Sequence, residues 1–119
     1  NVKYSRYWPA STTATNLLAY VYDDPLTVFM VQSDQDTTAL VAGDVGANAD
    51  FISGSGSATS GISGYQLDSS TMGTGSDIGY HILASAQSDD LTTWTLAGTT
   101  MDVLVFPCEH FYAATVAGI

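Results

Sequence analysis

The chain has 119 residues, 45% of them apolar and 11% aromatic, enough for one hydrophobic core and one domain. Twelve acidic side chains face only Lys3 and Arg6, and the formal net charge of −10 repels phosphate backbones and anionic lipid, which excludes the ordinary nucleic-acid and membrane-surface partners. Cys108 is the single cysteine, so an intrachain disulfide framework is excluded too, and no apolar run reaches the roughly 18 residues that suggest a spanning helix.

Solubility in so weakly charged a chain falls to hydroxyls, of which 28 Ser and Thr supply the bulk. The strong helix formers Lys, Glu and Arg number three in all, whereas Thr, Val, Tyr and Phe are plentiful, and this balance predicts an all-β fold. The sequence opens on Asn1 and not on Met, as expected of a processed chain or of the ordered part of a longer one.

Residues 1–16, NVKYSRYWPASTTATN, hold Tyr4, Tyr7 and Trp8 without a period of 2 or 3.6, and Pro9 bars a central strand. They read as an extended N-terminal arm. Its rings either cap the core of their own domain or dock on a neighbouring subunit, and Tyr4, Arg6, Tyr7 and Trp8 are the candidate partner-binding residues. Residues 17–119 read as a single β domain.

Within it, residues 17–22 (LLAYVY) and 27–32 (TVFMVQ) are two β-prone runs around Asp23, Asp24 and Pro25, whose turn chemistry predicts a hairpin or a tight corner. Ala39, Leu40 and Val41 before Gly43 fit one helical turn. Strands are expected over residues 49–53 and 64–68, flanking the Gly/Ser-rich stretch SGSGSATSGISG. Along residues 78–87 Ile78, Tyr80, Ile82 and Ala84 share one face while His81 and Leu83 share the other. A last hairpin is expected to bring Trp94 and Leu96 out through a turn at Gly98 and back along Met101, Val103 and Val105. Six to eight short strands with Gly, Asp and Pro turns predict a small antiparallel β-barrel or β-sandwich with an extended N-terminal arm.

The chemistry-bearing residues are few. Around Ser63 the order Gly61, Ile62, Ser63, Gly64, Tyr65 misses a nucleophile elbow by one position. Cys108 and His110 share a strand face, but PCEH has no helix N-terminus or basic neighbour to activate a thiol. The adjacent pairs Asp23, Asp24 and Asp89, Asp90 point to opposite faces of an extended chain, which suits turns better than two carboxylates on one glycosidic bond. Asp34 and Asp36 begin a calcium-loop pattern that Thr38 and Ala39 do not continue. Gly54 and Gly56 are followed by Thr59 where a dinucleotide loop needs its third glycine, and a P-loop lysine is absent. No cofactor is therefore expected, and the Gly/Ser stretch reads as an ordered connection inside one domain.

The order of segments SRYWPAST, AYVYDDPLTVFMVQ, DVGANADFISGSGSATSGISGYQLDSST and EHFY, spanning residues 6–110, resembles a family of head-associated, capsid-decoration-like structural proteins of tailed bacteriophages. The loop with its QLDSST tail is the distinctive part, while ASAQSDDLTTWTLAGTT departs from the pattern, standing where members of the family tend to carry an Arg/Asp/Asn-rich turn. The resemblance implies a non-enzymatic decoration or cement protein on the capsid surface of the virion, bound to the major capsid protein as a homo-oligomer, with a trimer favoured. The rival expectation is a carbohydrate-binding or adhesive β-module of a tail or surface fibre, with Trp94, Tyr65 and Tyr80 as its stacking platform.

Overall fold

A computed structural model describes residues 4–11, 13–34, 38–75, 78–86, 101–113 and 118. Six strands are formed: β1 (Phe29–Ser33), β2 (Asn48–Ala49), β3 (Phe51–Ile52), β4 (Gln66–Leu67), β5 (Tyr80–Ser85) and β6 (Met101–Pro107). Two 3-10 turns, Ala42–Asp44 and Ser69–Thr71, complete the regular structure of the described residues. The expected all-β class is observed.

The strands form one sheet in the order β2-β5-β6-β1-β4-β3. Its two outer strands, β2 and β3, are separated in sequence by Asp50 alone. One bent strand therefore supplies both edges, and the sheet curls into a nearly closed barrel. Asp50 holds this corner with groups on both sides. Its carboxylate Oδ1 accepts from the Gly79 amide at 2.8 Å, its carbonyl accepts from the Asp68 amide at 2.9 Å, and its own amide donates to Thr71 Oγ1 at 2.9 Å. Closing a sheet on itself removes the exposed edges that make open sheets aggregate. The pairings are antiparallel except β1 with β4, which is parallel, so the expected barrel is present with one parallel seam.

Alternation fills the interior. Met101, Val103 and Val105 of β6 are buried together with Leu40, Ala49, Leu67 and Ile82, and Phe29, Val31, Phe51, Met72 and Tyr80 pack around them. Burying an aliphatic side chain of this size contributes about 1.5–3 kcal/mol, so this cluster is the main stabilising unit. The face assignment of β6 agrees with the sequence reading. In β5 Ile82 is buried and Leu83 exposed as read, but the register against β6 then jumps from Ile82↔Val105 to Ala84↔Leu104, and this bulge takes Ala84 off the face it was expected to share with Ile82.

Two expectations are corrected. Residues 17–22 form no strand, and the tight corner at Asp24 is made without the hairpin. The Thr27 amide donates to the Asp24 carbonyl at 3.1 Å and the Leu26 amide to Asp24 Oδ1 at 2.9 Å. Pro25 occupies the first central position of this turn and fixes φ near −65°, whereas the hairpin turns I′ and II′ need a positive φ there. The two runs consequently splay apart. The 3-10 turn forms at Ala42–Asp44, slightly later than expected, and Gly46 with φ 95° ends it. The hairpin through Trp94, Leu96 and Gly98 lies outside the described residues on its outgoing side, as do Asp36, Asp89 and Asp90.

Candidate functional site

The loop between β3 and β4 is an ordered double strand of backbone. Ser57 N donates to the Ile62 carbonyl at 2.8 Å and Gly61 N to the Ser57 carbonyl at 2.7 Å, while hydroxyls of Ser57, Ser60 and Ser63 accept from nearby amides. Gly64 has φ 75°, and a Cβ built there would lie 2.3 Å from the Ser55 carbonyl oxygen. Only glycine permits that crossing. The Gly/Ser stretch is thus a fixed intradomain connection, as its sequence predicts.

The aromatic arm lies against this loop. A Cβ on Gly61 would meet the Arg6 side chain at 2.5 Å, and Arg6, Tyr7, Trp8, Ser57, Ile62 and Ser63 enclose an open cleft of about 350 Å³. Arg6, Tyr7 and Trp8 are therefore brought together, with Trp8 still 60% exposed, while Tyr4 stands free at 88% exposure outside the cleft. The rings of Tyr7 and Trp8 do not cap the barrel core.

On the far side of Ile62 and Ser63 lies a second cleft of about 460 Å³, lined by Met30, Gln32, Phe51, Ile62, Tyr65 and Gln66 among others. It is the open seam between β1 and β4. These strands share a single register pair, Ser33↔Leu67. Above it they diverge, bridged by a side-chain bond from Gln66 Nε2 to Gln32 Oε1 at 3.0 Å. The Asp34 amide donates to the Leu67 carbonyl at 3.0 Å, which fixes the side of β1 facing β4. Alternation then aims the backbone groups of Gln32 and Met30 into the seam.

Residues 13–28 lead to β1 without helix or strand, interrupted by the turn at Asp24. Leu18, Tyr20 and Tyr22 are 83%, 90% and 83% exposed, and Val21 and Leu26 are comparably bare. Tyr22 touches the body through an edge-on contact with Phe29, ring centroids 6.2 Å apart. Sequence reading found the β propensity of this run and placed a hairpin or a tight corner after it, of which the corner forms. Residues 7–22 carry no charge.

The groups with chemical potential have structural posts. Asp34 Oδ1 accepts from both the amide and the hydroxyl of Ser69, at 3.0 and 2.8 Å, and pins the turn after β4. Asp68 accepts from Ser70 N at 2.9 Å and caps the same turn. His81 shares a 2.7 Å hydrogen bond with the buried Asn48 through Nδ1, whose Nδ2 donates to the Gly75 carbonyl at 2.9 Å. Burial holds the His81 imidazole below its ordinary value of 6.5. Cys108 is buried, and its thiol is pushed up first by that burial and then by the negative charges of Glu109 and Asp50. A thiol so placed stays protonated at neutral pH. His110 accepts the Tyr112 amide on Nδ1 at 3.1 Å. Of the sugar-platform rings, Tyr80 is stacked on Phe51 with centroids 4.0 Å apart, Tyr65 is exposed on the seam, and Trp94 lies outside the described residues. Among the described residues no three His, Cys, Asp or Glu side chains converge on a metal position, and no helix is long and apolar enough to cross a membrane.

No protein-family model, no curated protein and no solved structure matches the chain.

Proposed function

We propose that this chain is a non-enzymatic structural protein of a tailed-bacteriophage head, a decoration protein that binds the major capsid protein on the outer lattice and stabilises it as a homo-oligomer, with a trimer favoured. The observation that carries the reading is the segment 13–28. A small barrel carries ahead of its first strand a run whose residues 13–22 hold no charge and whose Leu18, Tyr20, Val21 and Tyr22 it does not itself bury. An apolar strip of this kind marks a contact surface, and extended chain docks through its backbone and alternate side chains. The resemblance of residues 6–110 to capsid-decoration-like proteins supplies the identity of the surface. The posts of Asp34, Asn48, Asp50 and Asp68, all spent on holding turns and corners, support a role without catalysis.

Arg6, Tyr7 and Trp8 form one composite surface with the Gly/Ser loop, and together with the exposed Tyr4 they are assigned to the capsid contact. Co-sedimentation with mature capsids stripped of the protein is the direct test. Binding is expected, with improved survival of the particles under heat and low salt. Removing residues 1–9 should abolish binding while the barrel unfolds at its usual temperature. Failure of the intact protein to bind, or capsids equally robust without it, would overturn the assignment.

A further inference from the structure

We propose that the slot between β1 and β4 is filled, edge to edge, by the extended segment 16–22 of a second copy of this chain. The inference rests on the homo-oligomer part of the function above and is independent of its capsid part. Among the described residues two features are left open and are complementary to one another. The first is a β-prone run with Leu18, Tyr20 and Tyr22 exposed, of which only Tyr22 touches the body, through Phe29. The second is a slot whose β1 wall carries the backbone of Met30 and the amide of Gln32 and whose floor and rim are Phe51, Ile62 and Tyr65.

Area argues that the strip is covered in solution. Counting about 150–250 Å² for a fully exposed aromatic ring and less for an aliphatic side chain, Leu18, Tyr20, Val21 and Tyr22 leave roughly 600 Å² bare. That is the upper end of the apolar patches of about 300–600 Å² that ordinary monomers show, and a stable interface covers about 800 Å² per partner, of which this segment would supply the larger part.

Charge selects the occupant. At −10 per chain, two copies repel one another, and they can meet only where charge is missing. Residues 7–22 carry none, nor do the residues lining the slot. The same chain cannot fill its own slot through a tight turn, because Pro25 excludes the primed hairpin and the segment leaves the slot's own wall at Val28. Segment into slot is a head-to-tail contact, which closes into a ring when the rotation between copies permits.

The test uses the whole chain in light-scattering chromatography across a dilution series. Wild type is expected as a closed oligomer at high concentration. Tyr20→Asp on the segment and Tyr65→Asp on the rim, both at exposed positions, should each weaken assembly a hundredfold or more with unchanged thermal unfolding of the diluted monomer. Mixing Leu18→Cys protein with Gln66→Cys protein should yield a disulfide-linked pair of chains. Wild type that stays monomeric, oligomers indifferent to both aspartates, or Leu18→Cys/Gln66→Cys protein that closes within one chain would each overturn the inference. An oligomer that fails to bind capsids would sink the capsid assignment and leave this one standing. A variant made monomeric by either aspartate that binds capsids as well as wild type would overturn the oligomeric part of the capsid assignment and leave this inference standing.

Discussion

Asn48→Ala tests the reading of the barrel's first edge. Asn48 is fully buried on β2, and its side chain both accepts from His81 Nδ1 at 2.7 Å and donates to the Gly75 carbonyl at 2.9 Å, linking β5 to the chain that precedes it. Truncation removes two hydrogen bonds worth about 1 kcal/mol each and leaves both partners with a further desolvation cost, reduced because neither is fully sealed from water, so the expected loss is about 2–4 kcal/mol. For a domain between the ranges of ~60–100 and ~150–250 residues, each kcal/mol moves Tm by about 3–5 °C, giving a fall of about 6–20 °C. Circular dichroism melts at pH 7.5, paired with urea titrations to check that the m-value is unchanged, measure it. Asn48→Asp is the internal control. It keeps the acceptor for His81 but sets an oxygen against the Gly75 carbonyl, and its charge attracts a protonated imidazole, so its deficit should shrink as pH falls toward 5.5. A loss under about 0.5 kcal/mol for Asn48→Ala would refute the latch, since such a value belongs to an exposed surface side chain.

Four further outcomes follow from named contacts. His81 is held below 6.5 by burial, so the unfolded chain takes the proton first as pH drops; stability contributed by the neutral ring is complete above about 6.5 and declines below it, and His81→Gln should flatten the slope of unfolding free energy between pH 6.5 and 5. Gly64→Ala sets a Cβ 2.3 Å from the Ser55 carbonyl at φ 75°, with an expected loss of about 2–3 kcal/mol in urea melts. Ser33 Oγ is buried with no hydrogen-bond partner, so Ser33→Ala should leave Tm unchanged or raise it by a few degrees, and a loss beyond about 1 kcal/mol would show a hidden partner. Cys108, buried and with its thiol pushed up, should resist a thiol reagent at pH 8 in the native state and react fully in denaturant; rapid native labelling would contradict its placement.

The class of fold was legible because composition and period 2 both act locally: few helix formers, and alternating runs such as Met101, Val103, Val105 that end up buried as read. The Gly/Ser connection was legible for the same reason, since missing ligand residues and abundant positive-φ candidates are properties of the stretch itself. Closure of the barrel was not. It depends on Asp50 bending one strand so that Asn48 meets His81 while Phe51 meets Leu67, pairings that join residues 33 and 16 positions apart. A single Asp between Ala49 and Phe51 carries no local mark of that role. The roles of Asn48 and Asp34 were hidden likewise, because each bonds a residue more than thirty positions away. Of the hairpin or tight corner read at Asp23, Asp24 and Pro25 the corner is what forms, for a reason the sequence did contain: Pro25 permits a corner and disfavours the primed turn.

The seam and the bare strip have one origin in chain geometry. A bent strand that serves both edges must be met by β5 on one side and β4 on the other, and β4 is only two residues long because the chain next enters the turn capped by Asp68. β1 is five residues long, yet it meets β4 at Ser33 alone, so its remaining length faces the slot. A longer β4 would seal the barrel and leave an extended apolar segment with nothing to bind. Exposed strand edges are a hazard unless blocked, and this one carries no lysine, proline or inward charge over Phe29–Ser33. Gln32 and Gln66 bridge it with one amide contact at 3.0 Å, a bond weak enough for an incoming backbone to replace. The unguarded edge and the unpaired strip are therefore best understood together, as two halves of a contact that a single chain cannot complete.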